Sequence, residues 1–172
     1  TIAYGTLVGA DTALRSFKYG IVGNTSLYIG YLGATQNYEG TGVSQNGGLI
    51  GLAENLVKGN NFLTLTANVG DSMGNANTPW GHDYFNSIFA GASAKGGHNF
   101  EFKKGDYIIQ PNLMLSYIYA YTPSYTTASN VNVTTKPLNA MQIVPGVRII
   151  KNLKNQEGQI YLVTNFVFNL MD

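Results

Sequence analysis

The sequence predicts an all-β chain: an antiparallel up-and-down transmembrane β-barrel with about eight strands present. Three observations carry this. The first is Tyr107–Tyr121, YIIQPNLMLSYIYAY. Every second residue from Tyr107 reads Tyr, Ile, Pro, Leu, Leu, Tyr, Tyr, Tyr, and the residues between are Ile, Gln, Asn, Met, Ser, Ile, Ala. A period of two makes a β-strand with two unlike faces. At about fifteen residues it far exceeds the usual ~5–6, and tyrosines at both ends of an apolar face mark the two interfaces of a bilayer. The second is composition. Charged residues make up 11% of the 172, against roughly 25% in an ordinary soluble protein, yet mean hydropathy is close to zero. Asn, Gln, Ser, Thr, Tyr and Gly carry the polarity, which suits an apolar outside and a hydrated inside better than a soluble surface. The third is that short and long connections alternate along the chain, as in barrels with short periplasmic turns and longer outside loops.

Taken in order, the first strand is Ile2–Ala13, and Leu14–Thr25 has no readable pattern. Ser26–Ala34 is a strand, followed by a loop over Thr35–Ser44. Gln45–Val57 and Phe62–Gly70 flank the turn Lys58-Gly59-Asn60-Asn61. A longer Gly-, Asn- and Pro-bearing loop covers Asp71–Asp83. Tyr84–Phe102 is a long strand, and Lys103–Asp106 turns into Tyr107–Tyr121. Thr122–Asn139 is a Ser/Thr/Asn loop. Asn139–Asn152 and Gln159–Met171 are strands joined by Leu153–Gly158. The turns at Lys58, Lys103–Asp106 and Leu153–Gly158 fall on the periplasmic side of such a barrel. By size the chain is a single β-barrel domain, 1–172.

Phase assigns the faces. Leu63, Leu65, Ala67 and Val69 oppose Thr64, Thr66 and Asn68. Met141, Ile143, Pro145, Val147 and Ile149 oppose Gln142, Val144, Gly146, Arg148 and Ile150. The first two strands settle no phase, and Glu54 is left unassigned. The polar face gives the expected lumen lining: Lys95, Glu101, Gln110, Asn112, Ser116, Arg148 and Asn165. Tyr107, Tyr117, Tyr119 and Tyr121 form the expected aromatic girdle. The apolar face reads as wide, long and free of charge. A solvated one-sided sheet would leave such charges equally at home, but its apolar face needs a covering layer, and no helical segment is available. Pro111 and Pro145 each remove a ladder donor and are read as local bulges.

Other classes find little support. No run of eighteen apolar residues exists, so a transmembrane helix is excluded. With no cysteine there is neither a disulfide framework nor a thiolate metal site. A net charge of +1 gives no electrostatic case for nucleic acid. His82 and His98, the two histidines, do not read as a metal site. No catalytic constellation is evident, so no enzyme and no cofactor is expected. The chain opens on Thr1 with no signal peptide and reads as a piece of something longer.

Three stretches resemble one family, the autotransporter β-domain of type V secretion. Gly5-Thr6-Leu7-Val8-Gly9-Ala10-Asp11-Thr12 is similar to its glycine-rich early strand. Ile109–Tyr117 resembles its strand in which a proline precedes alternating aliphatics and Tyr. Val144-Pro145-Gly146-Val147-Arg148 resembles a later strand whose Arg points inward. The Asn- and Tyr-rich, charge-poor style is similar to the vacuolating-cytotoxin-like toxins of Helicobacter. The resemblance implies a twelve-stranded barrel in the bacterial outer membrane that anchors a passenger domain and helps it cross. Its implied partners are outer-membrane lipid, its own passenger and the barrel-assembly machinery. No passenger, linker helix or final strands of that family are recognised in the sequence, so an incomplete barrel is expected. Two alternatives stay open: a small eight-stranded outer-membrane barrel of structural or adhesive role, and a soluble lipocalin-like ligand-binding barrel.

Overall fold

The structure, a computed structural model, describes residues 2–38, 41–102, 106–153 and 158–171. The strands in chain order are β1 (Ile2–Asp11), β2 (Arg15–Ser16), β3 (Val22–Tyr38), β4 (Thr41–Lys58), β5 (Asn61–Thr78), β6 (Gly81–His98), β7 (Phe100–Phe102) and β8 (Tyr107–Tyr121). They continue with β9 (Tyr125–Thr126), β10 (Asn132–Val133), β11 (Leu138–Asn152), β12 (Gln159–Asn165) and β13 (Phe168–Met171). The only helical turn described is a 3-10 turn at Lys18–Gly20. The main sheet runs β1-β3-β4-β5-β6-β8-β11-β12, antiparallel throughout, with β7 and β13 extending β6 and β12 along the same neighbours. That makes eight staves in up-and-down order. The sheet curls into a half-barrel. β1 and β12 stand at its two edges, unpaired with each other among the described residues.

The strands are longer than the sequence suggests. Thr35–Ser44 is ladder on both sides of residues 39–40, because β3 runs to Tyr38 and β4 starts at Thr41. Asp71–Asp83 is likewise strand, apart from a two-residue turn at Pro79–Trp80. Asn, Gly, Ser and Thr look like loop residues singly, but here their backbones pair across the hairpin ladder with the neighbouring strand, which settles the matter. The alternation of short and long connections therefore shrinks to one long upper connection, residues 122–137. The turn at Lys58–Asn61 defines the lower end, and the Pro79–Trp80 turn the upper. Parts of two expected lower turns, 103–105 and 154–157, lie outside the described residues.

The two prolines act alike, and neither makes a bulge. Register stays constant past both. The β6–β8 ladder is interrupted at Pro111 and Gln110, between Gly97 and Phe100. The edge stave is interrupted opposite Pro145, where the Phe166 N–H donates to the Pro145 carbonyl at 3.0 Å and no N–H is there to answer. Each proline removes one rung and leaves the phase intact. The register shift lies elsewhere, at Met141/Gln142.

Cross-strand pairs share a face, so the register carries the assignment around the sheet. In β5, Leu63, Leu65, Ala67 and Val69 are exposed while Phe62, Thr64, Thr66 and Asn68 are half-buried. The more exposed set lies on the convex face of the curled sheet. No second layer covers it. Among the described residues the only buried apolar side chains are Val144 and Ile150. Packing is instead lateral. Tyr28, Phe62, Phe85 and Phe89 each sit across from a glycine, namely Gly51, Gly97, Gly74 and Gly70. The ring atoms lie so close that a Cβ at Gly70 would fall 2.3 Å from Phe89 Cζ. An aromatic ring thus covers the surface that its partner glycine leaves bare.

Candidate functional site

The concave face is the candidate site. Its polar strip is built from residues that share one phase in β6, β8, β11 and β12. Lys95 pairs with Thr64 and Met114, Ser116 with Ser93 and Gln142, and Gln110 with Arg148. The Gln110 amide donates to Asn99 Oδ1 at 2.7 Å, and the Asn112 amide donates to the Gln110 carbonyl at 3.3 Å. Arg148 holds its guanidinium over the Tyr161 ring, 4.6 Å from the centroid. Arg148 Nε is buried with no hydrogen-bond partner. Asn165 stands across from Gly146, and a Cβ there would meet Asn165 Oδ1 at 2.2 Å. Glu101 pairs with Ile108 and points the same way. All seven residues expected on the polar face therefore lie on the concave side. That side is less uniformly polar than expected, since the glycine-covering rings Tyr28, Phe62, Phe85 and Phe89 share it.

The four tyrosines expected to form the girdle lie on the convex face. Tyr107 is at the lower end, with Lys151 Nζ 5.7 Å from its ring centroid. Tyr117, Tyr119 and Tyr121 are at the upper end, and the Tyr117 hydroxyl donates to Asn139 Oδ1 at 2.6 Å. No sequence pattern announces a second upper cluster, in which the hydroxyls of Tyr4 and Tyr31 both donate to Asn46 Oδ1, at 2.9 and 2.8 Å. Nor is the convex face free of charge. Glu54 pairs with Leu65, and Asp71 with Ile88, so both carboxylates face outward. On β4 the apolar band lies between Asn46 and Glu54, a stretch of seven residues, and Asp71 stands level with Gly48 near its upper end.

Sequence reasoning also missed how the long connection folds. It turns back onto the concave side at the upper end, as the small hairpin β9–β10. Asp83, 8% exposed, accepts the Ala128 N–H on Oδ1 at 2.6 Å. Phe85 stacks on Tyr125 with centroids 5.6 Å apart, and the Ser87 and Thr122 hydroxyls are 2.6 Å apart. Asp83, Phe85 and Ser87 share the inward phase of β6, so the hairpin lies over the upper mouth. The partners stand 45 positions apart in the chain for the Asp83 bond, so no local pattern announces the contact.

His82 and His98 are each held by an asparagine, through Asn77 and Asn61. No group of three or more metal-ligating residues occurs among the described residues. No helix of the described residues is long and apolar enough to cross a membrane, which says nothing of strands.

Comparison with solved structures decides the architecture. The chain superposes on the β domain of the Bordetella autotransporter BrkA with a TM-score of 0.83 at 20% identity, covering 97% of this chain and 70% of that one. The fold is that of autotransporter β-domains. The translocator domain of the autotransporter NalP from Neisseria meningitidis gives 0.79 at 11% identity, and the transport unit of the autotransporter AIDA-I from Escherichia coli gives 0.75 at 15%. This chain spans 62% of the length of each of those two. At the level of sequence, no family model and no curated protein matches it.

Proposed function

We propose that this chain is the greater part of the translocator barrel of an autotransporter, seated in the outer membrane, where it anchors a passenger domain and helps to export it. The observation that carries the reading is the open sheet of eight staves whose apolar side is convex and whose charged and amide side is concave. A soluble lipocalin-like barrel needs the reverse. A closed eight-stranded barrel needs β1 to pair with β12, and both are edges here. An edge left open is a template for further strands, and in the intact protein these complete the barrel. The role is non-enzymatic: lipid on the outside, passenger chain within, assembly machinery during insertion. The Asn- and Tyr-rich, charge-poor composition supports placing this β-domain among those of the vacuolating-cytotoxin-like toxins of Helicobacter.

The test is surface display in the full-length protein. Deleting 1–172 in frame is expected to remove the passenger from the cell surface, read by antibody labelling of intact cells. Undiminished labelling of the deletion would refute the reading.

A further inference from the structure

At the lower end of the convex face, three outward side chains from β2, β3 and β4 form one polar cluster. Arg15 sits on β2 across from Gly23, while Thr25 on β3 pairs with Glu54 on β4. The Thr25 hydroxyl donates to Glu54 Oε2 at 2.5 Å and receives a hydrogen bond from the Arg15 guanidinium. Arg15 Nη2 lies 3.7 Å from Glu54 Oε1, beyond hydrogen-bond length. The guanidinium also stands 5.7 Å from the Phe17 ring centroid. So Arg15 uses one N–H on Thr25 and keeps the rest, with 52% of its side chain exposed, while Glu54 keeps Oε1 free of any hydrogen bond at 29%.

As an ion pair alone this arrangement is worth little in water. On a lipid-facing surface the same charges demand partners. Resting on the membrane reading above, the cluster lies where the apolar band of β4 ends, at the depth of lipid head groups. We infer that it binds the head group of a zwitterionic glycerophospholipid bearing a primary ammonium, of the phosphatidylethanolamine kind. The phosphate takes the spare guanidinium donors of Arg15, the fork geometry that Arg offers to phosphate. The ammonium donates to Glu54 Oε1. The side-by-side positive and negative groups complement a head group that carries both signs. A purely anionic head group gains from Arg15 but is repelled by Glu54. A trimethylammonium head group has no N–H to donate to Glu54.

The experiment uses the full-length barrel purified in detergent and titrated with phosphatidylethanolamine, phosphatidylcholine or phosphatidylglycerol, with retained lipid counted by native mass spectrometry. Wild-type protein is expected to retain phosphatidylethanolamine about tenfold better than phosphatidylcholine, the weight of one charge-assisted hydrogen bond. Glu54→Gln removes that preference, and Arg15→Gln weakens retention of all three. Equal retention of the first two lipids by wild-type protein, an arm that needs no variant, overturns the inference. So does a preference for phosphatidylglycerol, or a preference that survives both substitutions. Flotation of the same protein with phosphatidylcholine vesicles separates the two levels. A barrel that floats but shows no preference loses the site alone, and one that floats with no vesicle loses the membrane reading and the site together.

Discussion

Replacing Asp83 by Ala should release the hairpin from the upper mouth. In the folded state its carboxylate accepts the Ala128 N–H at 2.6 Å in a nearly buried setting. A hydrogen bond to a charged group contributes about 1.5–3 kcal/mol. The other main tie is the Phe85–Tyr125 stack, for which a further 0.5–1.5 kcal/mol is the usual order. Asp83 is thus the largest single contribution to the docking energy. At 1.4 kcal/mol per tenfold, its loss should raise the undocked fraction by about ten- to a hundredfold. Tyr125→Ala, which removes the lesser contribution, should raise it by up to about tenfold. Hydrogen exchange over residues 124–135 of the detergent-solubilised full-length barrel reads this directly. The Ala128 amide should lose protection in Asp83→Ala, while the β5–β6 ladder amides keep theirs. Equal protection of Ala128 in wild-type and variant would refute the docking role of Asp83.

Three further outcomes test the faces and the packing. Ala67→Lys places a cation mid-band on the convex face and should cost roughly 2–4 kcal/mol in lipid. Thr66→Lys, one residue away on the concave face, should cost clearly less, both read by urea unfolding in vesicles. Gly70→Ala brings a Cβ to 2.4 Å from the Gly48 carbonyl as well as onto Phe89, so it should destabilise by about 1–3 kcal/mol, seen as a lowered temperature of the folded-to-unfolded band shift on gels. Arg148→Ala removes a concave-face cation and should change the conductance or ion selectivity of the reconstituted full barrel. Unchanged traces would mean that Arg148 does not face the conducting path.

Legibility in the sequence tracked the side chains. Tyr107–Tyr121 and Leu63–Val69 alternate large apolar with polar groups, and their faces came out as expected. β1 and β3 hid theirs because Gly5, Gly9, Gly23, Gly30 and Gly33 erase the alternation, while Leu7 and Leu32 point inward and Thr25 outward. The segments 35–44 and 71–83 read as loops because their residues favour turns singly, and only the neighbouring strands reveal them as ladder. Asp83 and the Arg15–Thr25–Glu54 cluster were illegible for a different reason: each joins chain segments that only the folded sheet brings together.

That only Val144 and Ile150 are buried among the described apolar side chains has a thermodynamic consequence. A soluble domain carries its own oil inside, so its melting temperature belongs to the polypeptide. Here the apolar contact area belongs to whatever surrounds the wall, and stability is a joint property of chain and medium. Two laboratories using different detergents should therefore measure different melting temperatures for one sequence, and both will be right about their own mixture.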